Sequence, residues 1–235
     1  FTLIFGVRAV RKKRIPVLLY HRVLPSETKL GVSAAVFEKQ IAYLKDSGYI
    51  FMDSKLLSEW FAGGLDYSQK YVLLTFDDAW ADNLFFASPI LEKFSARAIL
   101  AVCSSLVNRD SEQRRDTSAF KIEDDRESLG KAVRGEDKSQ FLSWEELLKM
   151  KNSGLWDIQS HGSTHLGSYT NLHKIRGFYP SEWHWTMDFA LGEAPFPGAP
   201  RTEFRGILSS PITQLAPQLK EKLKNAKNNA EREKL

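Results

Sequence analysis

Apolar positions along this chain fall into two alternating rhythms. Ile15 to Tyr20 is a continuous apolar run of strand length, whereas between Ser33 and Gly48 the residues Phe37, Ile41 and Leu44 recur at helical spacing, with Gly48 placed to end the helix. The couplet returns as a strand over Tyr49 to Met52 and a helix over Ser54 to Phe61, capped by Ser54 and burying Leu56, Leu57, Trp60 and Phe61. Next come a strand over Tyr71 to Phe76, a helical stretch Leu84 to Phe94 in which Pro89 either kinks the helix or begins its second half, and a strand over Ala98 to Cys103. Ser143 and Glu146 have capping-box spacing and open a short helix through Met150, and Leu155 to Ser160 is the following strand. Strands alternating with helices imply parallel pairing, in a doubly wound sheet or a barrel. In either architecture chemistry collects at the carboxyl ends of the strands.

Three stretches break the rhythm. Between Arg109 and Lys138, 17 of 30 residues are charged, eight basic and nine acidic, which predicts an inserted, solvated loop. Ser168 to Pro217 is rich in Pro, Gly and aromatics, Trp183 and Trp185 among them; it reads as a surface-covering segment in preference to a substrate-facing loop that stacks on sugars. Leu219 to Leu235 is a polar amphipathic stretch without a stop signal, as though cut off mid-helix.

Composition narrows the class only a little. With 235 residues, 43% of them hydrophobic and 26% charged, the chain has enough apolar surface for one large core. We divide it into a basic N-terminal extension, residues 1–14, and one domain over 15–235. The single cysteine, Cys103, excludes an intramolecular disulfide. The net charge of +4 gathers partly at Arg11 to Arg14 and in the C-terminal tail, both read as solvated surface. No aromatic or recognition-helix context accompanies that charge, so no nucleic-acid partner is expected. No apolar run reaches the roughly 18 residues that span a bilayer. The chain begins at Phe1, so a leader or membrane anchor upstream is compatible with it, and Phe1 to Val10 is a weak anchor-like remnant. Oligomeric state is not readable.

The strand ends carry the candidate chemistry. Three predicted strands stop at ionisable residues: one at His21, one at Asp77 and Asp78, and one at His161. Consecutive carboxylates at a strand terminus diverge, so one is free to hold a cation while the other faces a neighbouring position. The plainer reading of Asp77-Asp78 is a turn and cap for the next helix. His161 and His165 stand four apart, the spacing that places two imidazoles on one face of a helical turn. With Asp78 they would make three protein ligands and leave open positions for water and substrate, as catalytic centres do. The alternative is that one or both histidines cap or pack.

These residues carry a resemblance. Thr75-Phe76-Asp77-Asp78 and Ser160-His161-Gly162-Ser163-Thr164-His165 resemble the first two motifs of the polysaccharide deacetylases of carbohydrate esterase family 4, the NodB-homology domain. Pro16 to Val23, Phe37 to Gly48 and Pro89-Ile90-Leu91 support it, and the similarity covers about Ile15 to Leu166. Gly162 stands where the family more usually has Ser or Thr. The resemblance implies a distorted (β/α) barrel with fewer than eight strands. It also implies metal-dependent de-N-acetylation of an N-acetylglucosamine-containing polysaccharide, in the cell envelope or otherwise outside the cytoplasm. Asp77 would be the general base; Asp78, His161 and His165 would hold a divalent metal, usually zinc.

After His165 the family's later motifs, with the histidine that acts as general acid, are not found; Arg176 to Pro180 is only a superficial match. The domain is therefore expected to be C-terminally truncated, and two other readings stay open: a non-catalytic glycan-binding or scaffold version of the fold, and a different barrel hydrolase. His21, at a strand end of the same face, is the second catalytic candidate, as a substrate-orienting group or a substitute proton donor. Its alternative is simple packing.

Overall fold

The computed structural model describes residues 14–109, 114, 121–170, 174–180, 185–190, 195–206, 216–232 and 234. Nearly all of the expected basic extension, and Trp183, lie outside them. In chain order the elements are β1 (Val17–Tyr20), β2 (Arg22–Leu24), β3 (Gly31–Ser33), α1 (Ala34–Asp46), β4 (Tyr49–Met52), α2 (Ser54–Phe61) and β5 (Lys70–Asp77). A π-helical turn, Asn83–Ala87, leads into α3 (Ser88–Lys93), followed by β6 (Ala98–Val102), α4 (Asp125–Arg134), α5 (Trp144–Asn152) and β7 (Trp156–Ser160). Beyond these lie β8 (Gly167–Thr170), β9 (Gly177–Phe178), a 3-10 turn (Trp185–Phe189), β10 (Pro200–Arg201), β11 (Glu203–Gly206), α6 (Pro217–Asn225) and α7 (Asn229–Arg232).

The organising unit is a parallel sheet around β5. That strand pairs with β1 from Val17↔Leu73 to Tyr20↔Phe76, with β4 from Tyr49↔Lys70 to Met52↔Leu73, and with β6 from Thr75↔Ile99 to Asp77↔Ala101. β6 in turn pairs with β7 up to Val102↔Ser160. Because every pairing is parallel, the residues that leave β1, β5, β6 and β7 emerge at one edge. This is a mixed α/β arrangement, a partial barrel with fewer than eight parallel strands among the described residues.

One face of the sheet packs on helices. Val72, Leu74, Phe76, Leu100 and Trp156 meet Phe37, Ile41 and Leu44 of α1, Leu91 of α3 and Leu147 and Met150 of α5. Each such side chain contributes about 1.5–3 kcal/mol by leaving water. On the opposite face Met52, Leu73 and Ile99 pack against Leu56, Leu57 and Trp60 of α2. β1 is not the fully buried strand its composition predicts: Leu18 and Tyr20 pack on the core, but Val17 and Leu19 are 58% and 57% exposed.

Local chemistry explains the helix limits. Ser33 accepts from the Val36 N–H to start α1, and Gly48 with φ 77 takes the left-handed turn after it. The cap of α2 is Asp53, whose carboxylate accepts from the Leu56 N–H, so the predicted Ser54 cap is displaced by one residue. Pro89 begins the second half of its helical stretch: Ser88 N–H donates to the Asn83 carbonyl five residues back, and a regular helix resumes from there. The Ser143/Glu146 capping box forms with both reciprocal hydrogen bonds.

Three expectations need correction. The charged stretch 109–138 is not merely a solvated loop, because α4 buries Leu129 and Ala132 and places Asp125 in the interior. Ser168 to Pro217 contains strands: β8 pairs antiparallel with β11, and β9 with β10. The C-terminal stretch forms two helices, interrupted where Ala226 takes an extended backbone, in place of the single helix expected.

What locks the insert in place is Arg22, which is fully buried. Its Nε donates to Asp82 at 2.8 Å, its Nη1 to Asp125 at 2.7 Å and to the Glu123 carbonyl at 3.3 Å, and its Nη2 to Gln140 Oε1 at 3.3 Å. The guanidinium lies 4.2 Å from the centre of the Trp80 ring. A second clamp is Glu146. Arg114 grips it with Nε to Oε1 at 2.8 Å and Nη2 to Oε2 at 2.7 Å, and Ser143 N–H adds a bond to Oε2 at 2.9 Å. Burial pushes this carboxyl up, but those hydrogen bonds outweigh it and hold Glu146 below its usual range.

Two tests follow from these clamps. Arg22→Met should lose about 3–5 kcal/mol in urea unfolding, because two buried carboxylates are left unpaired; adding Asp82→Asn and Asp125→Asn should recover part of that loss, which a pure packing defect would not allow. For Glu146 the folded value lies below the unfolded one, so its stabilisation is complete above about pH 4.5 and is lost as pH falls through the lowered value. Glu146→Gln should therefore be less stable than the parent at neutral pH, and the gap should close on acidification.

Candidate functional site

The parallel edge brings four chain exits together. His21 follows β1, Asp77 ends β5 with Asp78 after it, Cys103 follows β6, and His161 follows β7. The ladder continues a little past the strands: Asp78 N–H donates to the Ala101 carbonyl at 3.0 Å, and His161 N–H to the Val102 carbonyl at 2.9 Å. Asp78 and Ala79 then take φ values of 77 and 67, two consecutive left-handed turns by residues with side chains. Each costs roughly 1–2 kcal/mol. The turn is held by its neighbours, with Leu142 N–H donating to the Ala79 carbonyl and Ala81 N–H to the Gln140 carbonyl, both at 2.9 Å. As a result Asp78 points inward, 1% exposed, while Asp77 stays half-buried at the mouth.

The two predicted ligand histidines arrive on a loop and not on a helical turn. Gly162, at φ 87, turns the chain after β7 in a conformation that disfavours the Ser or Thr more usual there. The loop is stitched to the exit of β6, with Ser104 N–H donating to the Gly162 carbonyl at 3.3 Å and Ser105 N–H to the Ser163 carbonyl at 2.8 Å. His165 also lies edge-on to the buried Phe189 ring at 5.6 Å.

The side chains converge on Asp78. His165 Nε2 lies 3.2 Å and His161 Nε2 3.8 Å from its Oδ1, and His21 Nε2 lies 3.9 Å from its Oδ2. His161 Nε2 is also 3.7 Å from Asp77 Oδ2. All five residues singled out from the sequence thus gather around the Asp78 carboxylate, His21 included, whose side chain is partly exposed and not buried in the core. The Asn83 side chain, not anticipated from sequence, donates to the His21 carbonyl at 3.0 Å and so fixes the end of β1. Cys103 was also missed as a site residue. Its strand-end position, shared with His21 and His161, was the signal available.

Electrostatics divide the two carboxylates. Burial pushes Asp77 up and the Asp78 charge adds to this, against the pull of His161, His21 and His165. Burial acts on Asp78 as well, yet His165 above all, with His21 and His161, holds it below the usual carboxylate range. Asp78 in return raises His165. Even so, neither buried oxygen of Asp78 receives an aligned hydrogen bond. A buried anion without donors, ringed by imidazole nitrogens, suits a cation. Bonds of about 2.0–2.1 Å in tetrahedral geometry separate donors by about 3.4 Å, close to the spacings seen between Asp78 and the two loop histidines. Asp78, His161 and Cys103 bring donor atoms within 4.8 Å of one another, a set that fits a divalent metal, and His165 approaches the same Asp78 oxygen at 3.2 Å. The cleft can hold a cation, offer Asp77 as a proton acceptor beside it, and present His21 as a second titratable group.

Comparison with known proteins bears on the same residues. Residues 64–178 match the family profile described as polysaccharide deacetylase. YxkH of Bacillus subtilis, named for the same family, is 32% identical over 94 residues, 40% of this chain and 33% of that protein. The poly-beta-1,6-N-acetyl-D-glucosamine N-deacetylase of Escherichia coli K12 is 27% identical over 143 residues, 60% of this chain and 19% of that one. The chain thus spans a third or less of the length of these curated relatives. Among solved structures, IcaB from Ammonifex degensii superposes with a TM-score of 0.51 at 26% identity, over 68% of this chain and 57% of that one. A de-N-acetylase from Aggregatibacter actinomycetemcomitans superposes with 0.52 at 24%, over 68% and 60%, and shares the fold. The matched region contains the Asp77-Asp78 strand end and the His161 to His165 loop, and over residues 64–178 the chain resembles the polysaccharide deacetylases in sequence and backbone.

Proposed function

We infer that this chain catalyses hydrolytic de-N-acetylation of a polysaccharide containing N-acetylglucosamine, with a divalent cation, zinc in first place, held by Asp78, His161 and His165. The observation that carries the reading is the buried Asp78 carboxylate, without hydrogen-bond donors and facing three imidazoles, with Asp77 beside it. The substrate class is supported by the name of the Escherichia coli relative. Such a polymer places the work outside the cytoplasm, in the cell envelope. Among the described residues no helix is long and apolar enough to cross a membrane.

The roles follow from position. When bound, the cation would supply Lewis acidity, polarising the acetamide carbonyl and acidifying an adjacent water. Asp77, half-buried and ionisable, accepts the proton of the attacking water. Its place next to Asp78 in the chain and 3.7 Å from His161 Nε2 sets it beside the proposed ligands, where a carboxylate can act as general base. The carbonyl carbon gains the water oxygen, the C–N bond breaks, and the departing amine nitrogen needs a proton. His21 is the group we assign to deliver it: it follows β1, and its Nε2 lies 3.9 Å from Asp78 Oδ2, the carboxylate oxygen other than the one His165 and His161 approach.

Acetate release from N-acetylglucosamine oligomers by the parent protein tests the reading; oligomer binding without acetate would mark a non-catalytic, glycan-binding version of the fold. Asp77→Asn should keep the metal and lose on the order of 100-fold or more in turnover, since an amide accepts no proton. Near-normal turnover by that variant would make Asp77 structural. Elemental analysis of the parent should find one divalent ion per chain, and His165→Ala should hold clearly less. Equal content in the two would remove His165 from the ligand set.

A further inference from the structure

Cys103 is fully buried, and it is packed against Trp80, Leu106, Phe141 and Phe189 like a small apolar residue. Its sulfur is nonetheless aimed at the site. Sγ donates to the His161 carbonyl at 3.3 Å, and Sγ, one Asp78 oxygen and one His161 ring nitrogen all lie within 4.8 Å of one another. The geometry has a simple source. β6 and β7 are in register to their last residues, so the residue after β6 sits beside the residue after β7, and Asp78 hydrogen-bonds into the same ladder from β5. The unpartnered Asp78 carboxylate, 1% exposed, is the independent sign that the space between these atoms awaits a cation.

We propose that Cys103 is a ligand of the same cation, its thiolate standing with Asp78, His161 and His165 as a fourth protein donor. This rests on the cation of the proposed function and not on deacetylation itself. Binding forms a metal–sulfur bond and breaks the S–H bond, so one proton per chain passes to solvent. In the metal-free chain the thiol donates to the His161 carbonyl, and a divalent charge at bonding distance favours the thiolate instead. Two consequences follow. The donor set becomes softer and favours thiophilic ions. It also becomes four-coordinate, so substrate or water enters by displacing sulfur or by expanding the coordination sphere.

Cobalt(II) is the probe, added under reducing conditions to the whole chain and to Cys103→Ser and Cys103→Ala, with folding checked by circular dichroism. In the parent, one equivalent should give a near-ultraviolet thiolate-to-cobalt charge-transfer band together with visible ligand-field bands, and release of the thiol proton into a weakly buffered indicator. Both variants should keep ligand-field bands, lose the charge-transfer band, and bind zinc at least about tenfold more weakly in competition. Ligand-field bands without charge transfer in the parent, or unchanged zinc affinity in Cys103→Ala, would overturn the proposal while leaving Asp78 and the histidines as ligands. No cobalt uptake by the parent would overturn it together with the cation itself. A charge-transfer band in a protein that releases no acetate would support the sulfur ligand and count only against deacetylation.

Discussion

The buried Arg22 guanidinium is the constraint on which the rest of the site depends. One cation, held by planar hydrogen bonds and a Trp80 ring face, joins four pieces of chain: the exit of β1, the turn after Asp78, the start of α4, and the segment around Gln140. Removing any carboxylate partner from water is expensive, and only the matched geometry of the guanidinium makes it tolerable. Asp82 shows the tension directly. Burial raises its carboxyl to about 6 even with Arg22 pulling the other way. The arrangement costs stability compared with an apolar core, and what it supplies is position. His21 is the residue before Arg22, and Asp78 is two before Trp80, so both site residues inherit the rigidity of the network.

Strain sits next to that rigidity. Two left-handed residues in succession, Asp78 and Ala79, separate a carboxylate that faces inward from one that faces the cleft mouth. Ordinary extended backbone would send the two side chains to opposite faces of the sheet; the turn keeps both at one mouth with different degrees of burial. Environment then distinguishes chemically identical groups. The one with donors withheld and histidines around it suits a cation, and the one nearer solvent suits proton transfer.

Much of this was readable in advance, for physical reasons that differ by element. α1 and α5 were legible because capping and apolar spacing act over a few residues, within the reach of a sequence pattern. The clustering of His21, Asp77, Asp78 and His161 was legible because parallel strands put their carboxyl ends on one edge. Asp125 was not: its composition marks a solvated stretch, and its partner Arg22 is 103 residues away. The i, i+4 spacing of His161 and His165 suggested a helical turn, but the loop after β7 brings them together by backbone pairing with Ser104 and Ser105. Cys103 entered the sequence reading only as a lone cysteine that excludes a disulfide, and the register between β6 and β7 reveals what it touches.

The exposure of β1 also governs how the protein behaves as a solute. Among the described residues β1 pairs on one side only, with β5, and it shows Val17 and Leu19 to water. An unpaired strand edge beside an apolar stripe invites another chain to add a strand, and β1 carries neither a proline nor a charged side chain to discourage it. Among the described residues this apolar edge is a place where side-chain charge acts on association between chains. A charge at Val17 or Leu19 would act on solubility without touching the helix-packed core.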